Sequence, residues 1–390
     1  MKTIKSRKIT TVILAVLVLL VSAPSILAYP PDNAAILYYK AFMLYQADDE
    51  MNDMLLRFAK GKIELNEKIE EFVNKNRQIV NIVLDASEIK NCDWGLDYSQ
   101  GTEVLLPPLH KLRQLLRLVL ADARIPAQQG DYKTALTRCM SVYKIARHLN
   151  ERPVILYLVG IAFNAVANDC IIQILSDMPP DIEMLTWLKS QLAHINEQRF
   201  SIKPTLSWKR QAGIISMSPE RISDVVHSGI DDGPFKEKVL KRILAADEQF
   251  FNRNREYWNR YMDAVEAAFD LPYPQGYAKL KKLDEELTEE FSKNPDSTLT
   301  ASLFTTWQRI YNLSTRWNTQ SNALKSAIEI YIIKAKTGKL PDALPGGLPG
   351  DLFSGKAFKY GKNADGFILR CQGKDLEKDE IYKYEFKVKQ

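Results

Sequence analysis

The longest regular stretch of this chain is residues 103–175, EVLLPPLHKLRQLLRLVLADARIPAQQGDYKTALTRCMSVYKIARHLNERPVILYLVGIAFNAVANDCIIQIL. Apolar residues recur in it at steps of three and four, which is the spacing that places side chains on one face of an α-helix. The pattern predicts three consecutive helices, at residues 105–128, 131–149 and 153–175.

The junctions between these helices carry residues typical of helix ends. Gly130 suits the left-handed backbone that stops a helix, and the Asp131 side chain can accept hydrogen bonds from the first amides of the next one. Pro153 fits a first helical turn, where its missing N–H has no intrahelical partner. The third helix is apolar on almost all sides and contains Gly160 and Ala165, so we expect it at the buried centre of a bundle.

The turn at residues 130–132 resembles the turn inside a tetratricopeptide repeat, the unit of one kind of α-solenoid. No second copy follows at the spacing of about 34 residues that such repeats have. We therefore expect a mostly α-helical fold, an irregular helical bundle or a solenoid-like array, with the bundle favoured. Further helices are predicted at residues 33–45, 64–83, 181–197, 235–269 (interrupted at 252–255), 279–292 and 299–336, and a long irregular insertion at 199–233.

The sequence pattern changes after residue 340, where apolar and polar residues alternate. The apolar positions are Phe358 and Tyr360, then Phe367, Leu369 and Cys371, then Tyr382, Tyr384, Phe386 and Val388. A period of two predicts three half-buried strands, with residues 361–366 as a hairpin loop. We expect a small C-terminal antiparallel β module that packs on the helix bearing Ala327, Ile328 and Tyr331, because three strands need such cover.

The N-terminus has the layout of an export signal. Four basic residues precede an apolar segment at residues 9–21, and Pro24 and the small Ala28 follow it. Cleavage after Ala28 is favoured, and the alternative is an uncleaved anchor that holds the protein to the membrane. Both readings predict an exported protein of the periplasm or cell envelope. The expected divisions are thus 1–28 for export or anchoring, 29–298 for a helical domain, and 299–390 for a long helix with the sheet.

Charge and composition exclude several classes of protein. The chain has 390 residues, 46% of them hydrophobic, so it can bury a large core and is not disordered. Its 53 basic residues outnumber 48 acidic ones, but four of the basic residues lie ahead of the apolar segment. The rest of the chain is close to neutral, with both signs interspersed, so no nucleic acid partner is expected.

The four cysteines are too few for a disulfide scaffold. Cys139 and Cys170 lie on neighbouring predicted helices at unequal distances from the turn between them. At the rise of an α-helix this predicts a stagger of about 10 Å, which is beyond disulfide reach. We therefore expect two buried free thiols, and the pattern leaves the state of Cys92 and Cys371 open.

Aromatic residues in polar surroundings are the candidates for a binding surface. Trp94 and Tyr98 lie in a polar connection between helices, and could line a ligand groove or pin the loop onto the bundle. Tyr257 and Trp258 lie among charged residues of a predicted helix, in a composition typical of a carbohydrate or peptide platform and also of a packed amphipathic helix. We predict these four residues as a binding surface, with packing as the alternative.

No catalytic or cofactor-binding motif is found. The four histidines have no paired spacing, and the chain has no G-x-S-x-G, phosphate loop or dinucleotide fingerprint. Neighbouring carboxylates such as Glu285 and Glu286 diverge on a helix surface. We therefore predict no catalytic residue and no cofactor, and expect a non-catalytic scaffold or protein-binding protein. The alternative is an envelope hydrolase or lyase whose acidic and aromatic residues meet in a groove.

The C-terminal sixth of the chain resembles the C-terminal part of the major pseudopilins of type II secretion. The resemblance rests on the order of Gly338 and Pro341, the turn DLFSG at 351–355, the strands at 358–360 and 365–369, and an acidic loop after Gly373. The pseudopilin leader is absent. The chain is similar to a family of exported helical envelope proteins of bacteria that carry such a tail, which implies other envelope proteins as partners.

The acidic loop of pseudopilins binds calcium, so the resemblance implies Asp375 and Asp379 as metal ligands. Calcium takes six to eight oxygen ligands in a tight turn. This loop contains two lysines and lacks paired glycines, so the alternative is a solvated charged turn.

Overall fold

The computed structural model describes residues 32–149, 152–197, 201–218, 243–293 and 305–389, with residues 221, 237, 241, 299, 300 and 303. The predicted export segment lies outside these residues, as do residues 199–200, 219–220 and 222–233 of the predicted insertion, whose residues 203–216 form a helix. The described helices are α1 (Ala34–Leu44), α2 (Asp49–Ala59), α3 (Glu67–Lys75), α4 (Arg77–Glu88), α5 (Leu109–Gln128), α6 (Tyr132–His148), α7 (Val154–Asp177), α8 (Ile182–Glu197), α9 (Lys203–Ser216), α10 (Glu248–Phe269), α11 (Tyr273–Lys293) and α12 (Trp307–Thr337).

The described part of the chain is mostly helical and ends in one small sheet. Strands β1 (Lys359–Asn363), β2 (Gly366–Arg370) and β3 (Lys383–Lys387) form an antiparallel sheet in that order. The mostly α-helical fold with a small C-terminal β module is therefore confirmed. We call residues 340–389 the tail and the helices α1–α12 the body.

The three helices predicted at residues 103–175 are present as α5, α6 and α7. The Asp131 side chain accepts a hydrogen bond from the Thr134 amide at 3.1 Å, and Gly130 has a φ of +85°, so both junction residues act as predicted. Helix α7 is long and apolar enough to cross a membrane, but 61% of its most apolar stretch is buried inside the protein. It packs against α5, α6 and α12, as expected of a central helix.

Two long helices begin later than the sequence pattern predicted. The Asp247 side chain accepts a hydrogen bond from the Phe250 amide at 2.9 Å, which starts a new helix at Glu248. Helix α12 begins at Trp307 and not at residue 299. The predicted interruption at residues 252–255 is wrong, because α10 runs through them and Asn254 bonds the Phe250 carbonyl one turn earlier.

The predicted stagger of Cys139 and Cys170 is also wrong. Both cysteines are buried and free, but their Sγ atoms are 3.1 Å apart. Tyr143 donates a hydrogen bond to Asn168 on the same pair of helices, so α6 and α7 are offset along their axes throughout this contact. The estimate of about 10 Å assumed that both helices start at the same level, directly at a tight turn. The observed offset along the helix axes brings the two thiols to the same level.

The sheet confirms the three predicted strands and corrects the loop between the first two. Gly361 pairs with Ile368 and Asn363 with Gly366, so residues 361–363 belong to β1 and a two-residue turn remains. The sheet packs on α12 as predicted, with the Tyr331 and Phe367 rings 5.5 Å apart. Strand β3 also contacts α7, so the cover is shared by two helices and not supplied by α12 alone.

Candidate functional site

Trp94 fastens the loop after α4 to the body. Its ring stacks on Tyr38 at 5.4 Å, and its indole nitrogen donates to the His148 carbonyl at 2.8 Å. The His148 ring bonds the Tyr38 hydroxyl and the Ile89 carbonyl, each at 2.8 Å. Burial lowers the pKa of His148 to about 4, so this ring is neutral at physiological pH. The group is a packed internal network.

Tyr98 lies next to this network, at the start of a short 3₁₀ turn (Tyr98–Glu103). It is half-buried, and the Arg152 guanidinium lies 4.6 Å from the centre of its ring. Trp94 is fully packed, so the two aromatic residues do not form an open ring surface together.

Trp258 faces the interior of the body. It is 0% exposed, stacks on Tyr261 at 5.7 Å, and donates to the Arg210 carbonyl of α9 at 3.0 Å. A Cβ at Gly213 would lie 2.4 Å from the Trp258 indole nitrogen, so glycine is needed for α9 to approach this ring. Its neighbour Tyr257 is half-buried beneath Arg260. Consecutive helical residues point in different directions, and the two rings do not make one platform.

Asp375 is a buried anchor of the tail. One carboxylate oxygen accepts from the amides of Glu377 and Lys378 at 3.0 Å, and the other accepts from Arg316 of α12 at 2.7 Å and from the Tyr382 hydroxyl at 3.1 Å. Burial alone would raise the pKa of Asp375, but the hydrogen bonds from Arg316 and the backbone outweigh it and lower the pKa.

Asp379 is placed differently from Asp375. Its side chain is largely exposed and pairs with Lys374, and its backbone is left-handed with a φ of +60°. A calcium ion would have to displace the protein donors that already occupy Asp375. No group of three or more histidine, cysteine or acidic side chains placed to hold a metal is found in the part of the chain that the structure describes. The calcium site implied by the pseudopilin resemblance stays a prediction.

A groove of about 950 Å³ lies between the body and the tail. Its floor is α12, and its walls are α7, the junction of α10 and α11, the start of α9, and residues 352–355 of the tail. Aromatic, hydroxyl and amide side chains dominate the lining, which includes Tyr157, Tyr273, Tyr311, Trp317, Ser201, Ser314, Thr315, Asn318, Asn322, Lys325 and Ser354.

Hydrogen bonds hold the aromatic wall of the groove in place. The Tyr273 hydroxyl donates to Asn312 at 2.5 Å and accepts from the Leu376 amide at 2.9 Å. Tyr311 donates to the Leu271 carbonyl at 2.7 Å. The Tyr157 hydroxyl lies 3.0 Å from Ser314. Body and tail are therefore joined across the groove by directional contacts, which fixes its shape before any ligand arrives.

The tail wall of the groove depends on a second buried aspartate. The Asp351 carboxylate accepts from the amides of Phe353, Gln372 and Gly373 and from the Ser354 hydroxyl, all at 2.7 to 2.8 Å. The Asn322 amide of α12 donates to the Gly350 carbonyl at 2.8 Å. These bonds hold residues 351–355 as a rigid turn at the rim.

Sequence reasoning missed this groove, although a signal for it exists. Helix α12 carries Ser314, Thr315, Asn318, Asn322 and Lys325 at helical spacing, on a helix whose other positions are largely buried. A polar stripe on a core helix indicates either a buried polar network or a solvated cavity. The sequence could not say which, because the helices and the tail turn that face this stripe are distant in the chain.

Comparison of the chain with models of protein families, with curated proteins and with solved structures finds no match. The function is therefore argued from the geometry of the groove.

Proposed function

We propose that this protein is a non-catalytic binding protein of the cell envelope, which holds an extended segment of another envelope protein in the groove between body and tail. The observation that carries the proposal is the composition of the groove. Its described lining combines aromatic rings and prolines with hydroxyl and amide groups, and contains one basic side chain and no carboxylate, histidine or cysteine.

A lining of this kind suits a polypeptide ligand better than a strongly charged lining would. The backbone of an extended segment offers an N–H and a C=O at each residue, which asparagine and serine side chains can bond. Rings and prolines supply apolar contact for its side chains. Because the walls are already fixed by hydrogen bonds, little conformational entropy is lost by the protein on binding.

The hydrolase or lyase alternative needs a convergent acid pair near an aromatic groove. The candidate acids Glu285 and Glu286 are on the surface of α11, and Trp258 is buried against α9. Neither lines the groove. General acid and base groups must be within hydrogen-bond reach of the substrate, so the arrangement of the described residues favours binding over hydrolysis.

Site-specific crosslinking tests the proposal. A photo-crosslinking amino acid at Asn318, in the floor of the groove, should give a discrete adduct with an envelope protein, and the same group at the exposed Lys336 on α12 should not. A bulky Ser314→Trp change should abolish the Asn318 adduct without unfolding the protein. Equal adducts from both positions, or an adduct that survives Ser314→Trp, would contradict the proposal.

The envelope location is tested separately, because residues 1–28 lie outside the described structure. We expect the protein in the periplasmic or membrane fraction, and mass spectrometry of its N-terminus distinguishes cleavage after Ala28 from an uncleaved anchor. Full-length protein in the soluble cytoplasmic fraction would contradict the proposed location in the cell envelope.

A further inference from the structure

We infer that the inner end of the groove binds a carboxylate group, and that this group is the C-terminus of the polypeptide segment held there. The inference rests on the proposed function and adds the chemistry of one recognition point. It depends on a small cavity next to the groove, because Trp317 and Lys325 line both spaces.

This end cavity has about 40 Å³ of free space between α6, α7, α8 and α12. A single water needs roughly 10 to 15 Å³ measured in this way, so the cavity has room for about three waters or for a carboxylate. Its walls are apolar at Leu192, Ile195 and Leu324. Its polar and charged lining residues are Tyr143, Lys144, Arg147, Asn164, Asn168, Ser321 and Lys325. The cavity therefore has room for a small polar group and can donate hydrogen bonds to it.

Lys325 supplies one uncompensated positive charge. No ion pair or hydrogen bond involves its amine in the part of the chain that the structure describes, although burial lowers the pKa of this residue. The other charged groups nearby are already engaged. Lys144 bonds Glu88 at 2.6 and 2.7 Å, and Glu329, one turn along α12, pairs with Lys189 of α8. Arg147 also lines the cavity and has an interaction of its own.

Asn164 gives the second, independent indication of a ligand. It is 3% exposed and lines the end cavity, and no hydrogen bond joins its carboxamide to any described residue. Its neighbour one turn along α7, Asn168, is bonded to Tyr143 and to Ser321 at 3.1 Å. The amide of Asn164 is therefore available as a donor to a group that enters the cavity.

A carboxylate fits this set of groups better than a larger anion. One unpaired amine matches one negative charge, whereas the second charge of a phosphate or sulfate would have to draw Lys144 or Arg147 away from the interactions that they already have. A carboxylate has two oxygens, which suits one amine donor and one amide donor. The end cavity shares Trp317 and Lys325 with the groove proposed to hold an extended segment, so the carboxylate at the end of that segment would lie close to the cavity.

The probes that test the inference are N-acetyl-alanyl-alanine and its C-terminal amide, which differ in the carboxylate alone. Calorimetry at constant ionic strength should show that the full-length protein binds the acid at least about tenfold more tightly than the amide. Chemical labelling of amines, read by mass spectrometry, should show that the acid protects Lys325 and leaves Lys336 unprotected.

Two variants and one control locate the effect. Lys325→Gln and Asn164→Leu should lose the preference for the acid while keeping the melting temperature of the parent protein or raising it. Lys336→Gln removes the same charge from an exposed site on the same helix and should keep the preference. Equal binding of acid and amide, or an unchanged preference in Lys325→Gln, would overturn the inference.

Two further probes identify the source of the carboxylate. Acetate that binds as tightly as the peptide acid would contradict a chain end, and sulfate that binds more tightly than either would contradict a carboxylate. If Lys325→Gln keeps the Asn318 crosslink and neither peptide distinguishes the variants, the carboxylate inference fails and the proposed binding function stands. Loss of the crosslink in Ser314→Trp is required by the proposed function in either case.

Discussion

The body and the tail each bury an aspartate completely, but they neutralise it differently. In the body, Asp122 of α5 pairs with Arg77 of α4 and with Arg138 of α6, the latter at 2.8 Å. In the tail, Asp375 pairs with Arg316 of α12 alone, and backbone amides and a tyrosine supply the remaining bonds. A buried charge that loses its last counterion is strongly destabilising, so Asp375 depends on one arginine whereas Asp122 has two.

The largest effect that the comparison predicts is for Arg316→Leu. Asp375 would keep its burial and lose its counterion, which should lower the free energy of unfolding by about 3 to 5 kcal/mol. The matched change Arg77→Leu leaves Arg138 on Asp122 and should cost about 1 kcal/mol. Urea unfolding measures both, and hydrogen exchange at the Glu377 and Lys378 amides reports whether the tail detaches. Equal losses of stability in the two variants would contradict the claim that Asp375 depends on one arginine and Asp122 on two.

The thiol pair offers a way to strengthen the body without touching the tail. Cys139 and Cys170 are in contact, so refolding with oxidised glutathione should join them, with each thiol losing a proton and the pair giving two electrons to the oxidant. Mass spectrometry should show the loss of two hydrogens. The loop closed is about 31 residues long, and the disulfide should stabilise the body by about 3 kcal/mol. The Cys139→Ser variant should show neither change, and a Cys139 that stays reduced would contradict the contact.

A buried carboxylate of the body sharpens the comparison, because no cation pairs with it in the described part of the chain. Asp284 of α11 accepts a hydrogen bond at 3.2 Å from Tyr261, which is an uncharged donor. Burial raises the pKa of Asp284 to about 6. The folded state therefore holds the proton more tightly than the unfolded state. The stabilisation this gives is complete below about pH 4 and is lost as the pH rises through 6.

Asp284→Asn should therefore raise the free energy of unfolding by about 2 kcal/mol at pH 7.5 and by much less at pH 4. Thermal unfolding across this range measures the difference, with Glu285→Gln on the exposed face of the same helix as control. A gain that is constant with pH would show that the charge of Asp284 is not its cause.

The last prediction concerns the packing of α7, a body helix that β3 of the tail also contacts. Gly160 is buried, and Gly160→Leu should overpack the helix and cost about 1 to 3 kcal/mol. Ala165 is half-buried and borders an open apolar groove beside α12, so Ala165→Leu should cost less than Gly160→Leu. Melting temperatures compare the two variants directly. A larger loss at Ala165 would contradict the placement of α7.

Local patterns predicted α5, α6, α7 and the three strands, but they missed α2 and the break between α3 and α4 at Asn76. They also failed where distant residues set the geometry. The steps of three and four at residues 105–175, the cap at Asp131 and the alternation after residue 358 are each read within one element, and each was confirmed. The contact of Cys139 with Cys170 depends on the offset of two helices, which no spacing along the chain records. The start of α10 was signalled locally by Asp247, but the apolar pattern that runs through it concealed the break.

The candidate site was less predictable than the fold. Trp94 and Trp258 attracted attention as large rings in polar surroundings, and both are structural, since their indole nitrogens bond backbone carbonyls inside the body. Lys325 and Asn164 are ordinary residues on helices far apart in the chain. They are candidates because no described residue forms an ion pair or hydrogen bond with their side chains. That can be known only from the folded structure, in which all their neighbours are placed. The role of Asp375 also depends on a distant residue, because Arg316 lies 59 residues away in the chain.

The bonds that shape the groove have a consequence for the order of folding. Leu376 reaches back 103 residues to Tyr273, and Ser314 reaches back 157 residues to Tyr157, whereas the contacts that build α5, α6 and α7 are mostly between neighbours in the chain. Closing long loops is slow because the entropy is lost before the contact forms. The helical body should therefore assemble first and the groove last, so that a chain interrupted on its way to the folded state would be compact, helical and unable to bind.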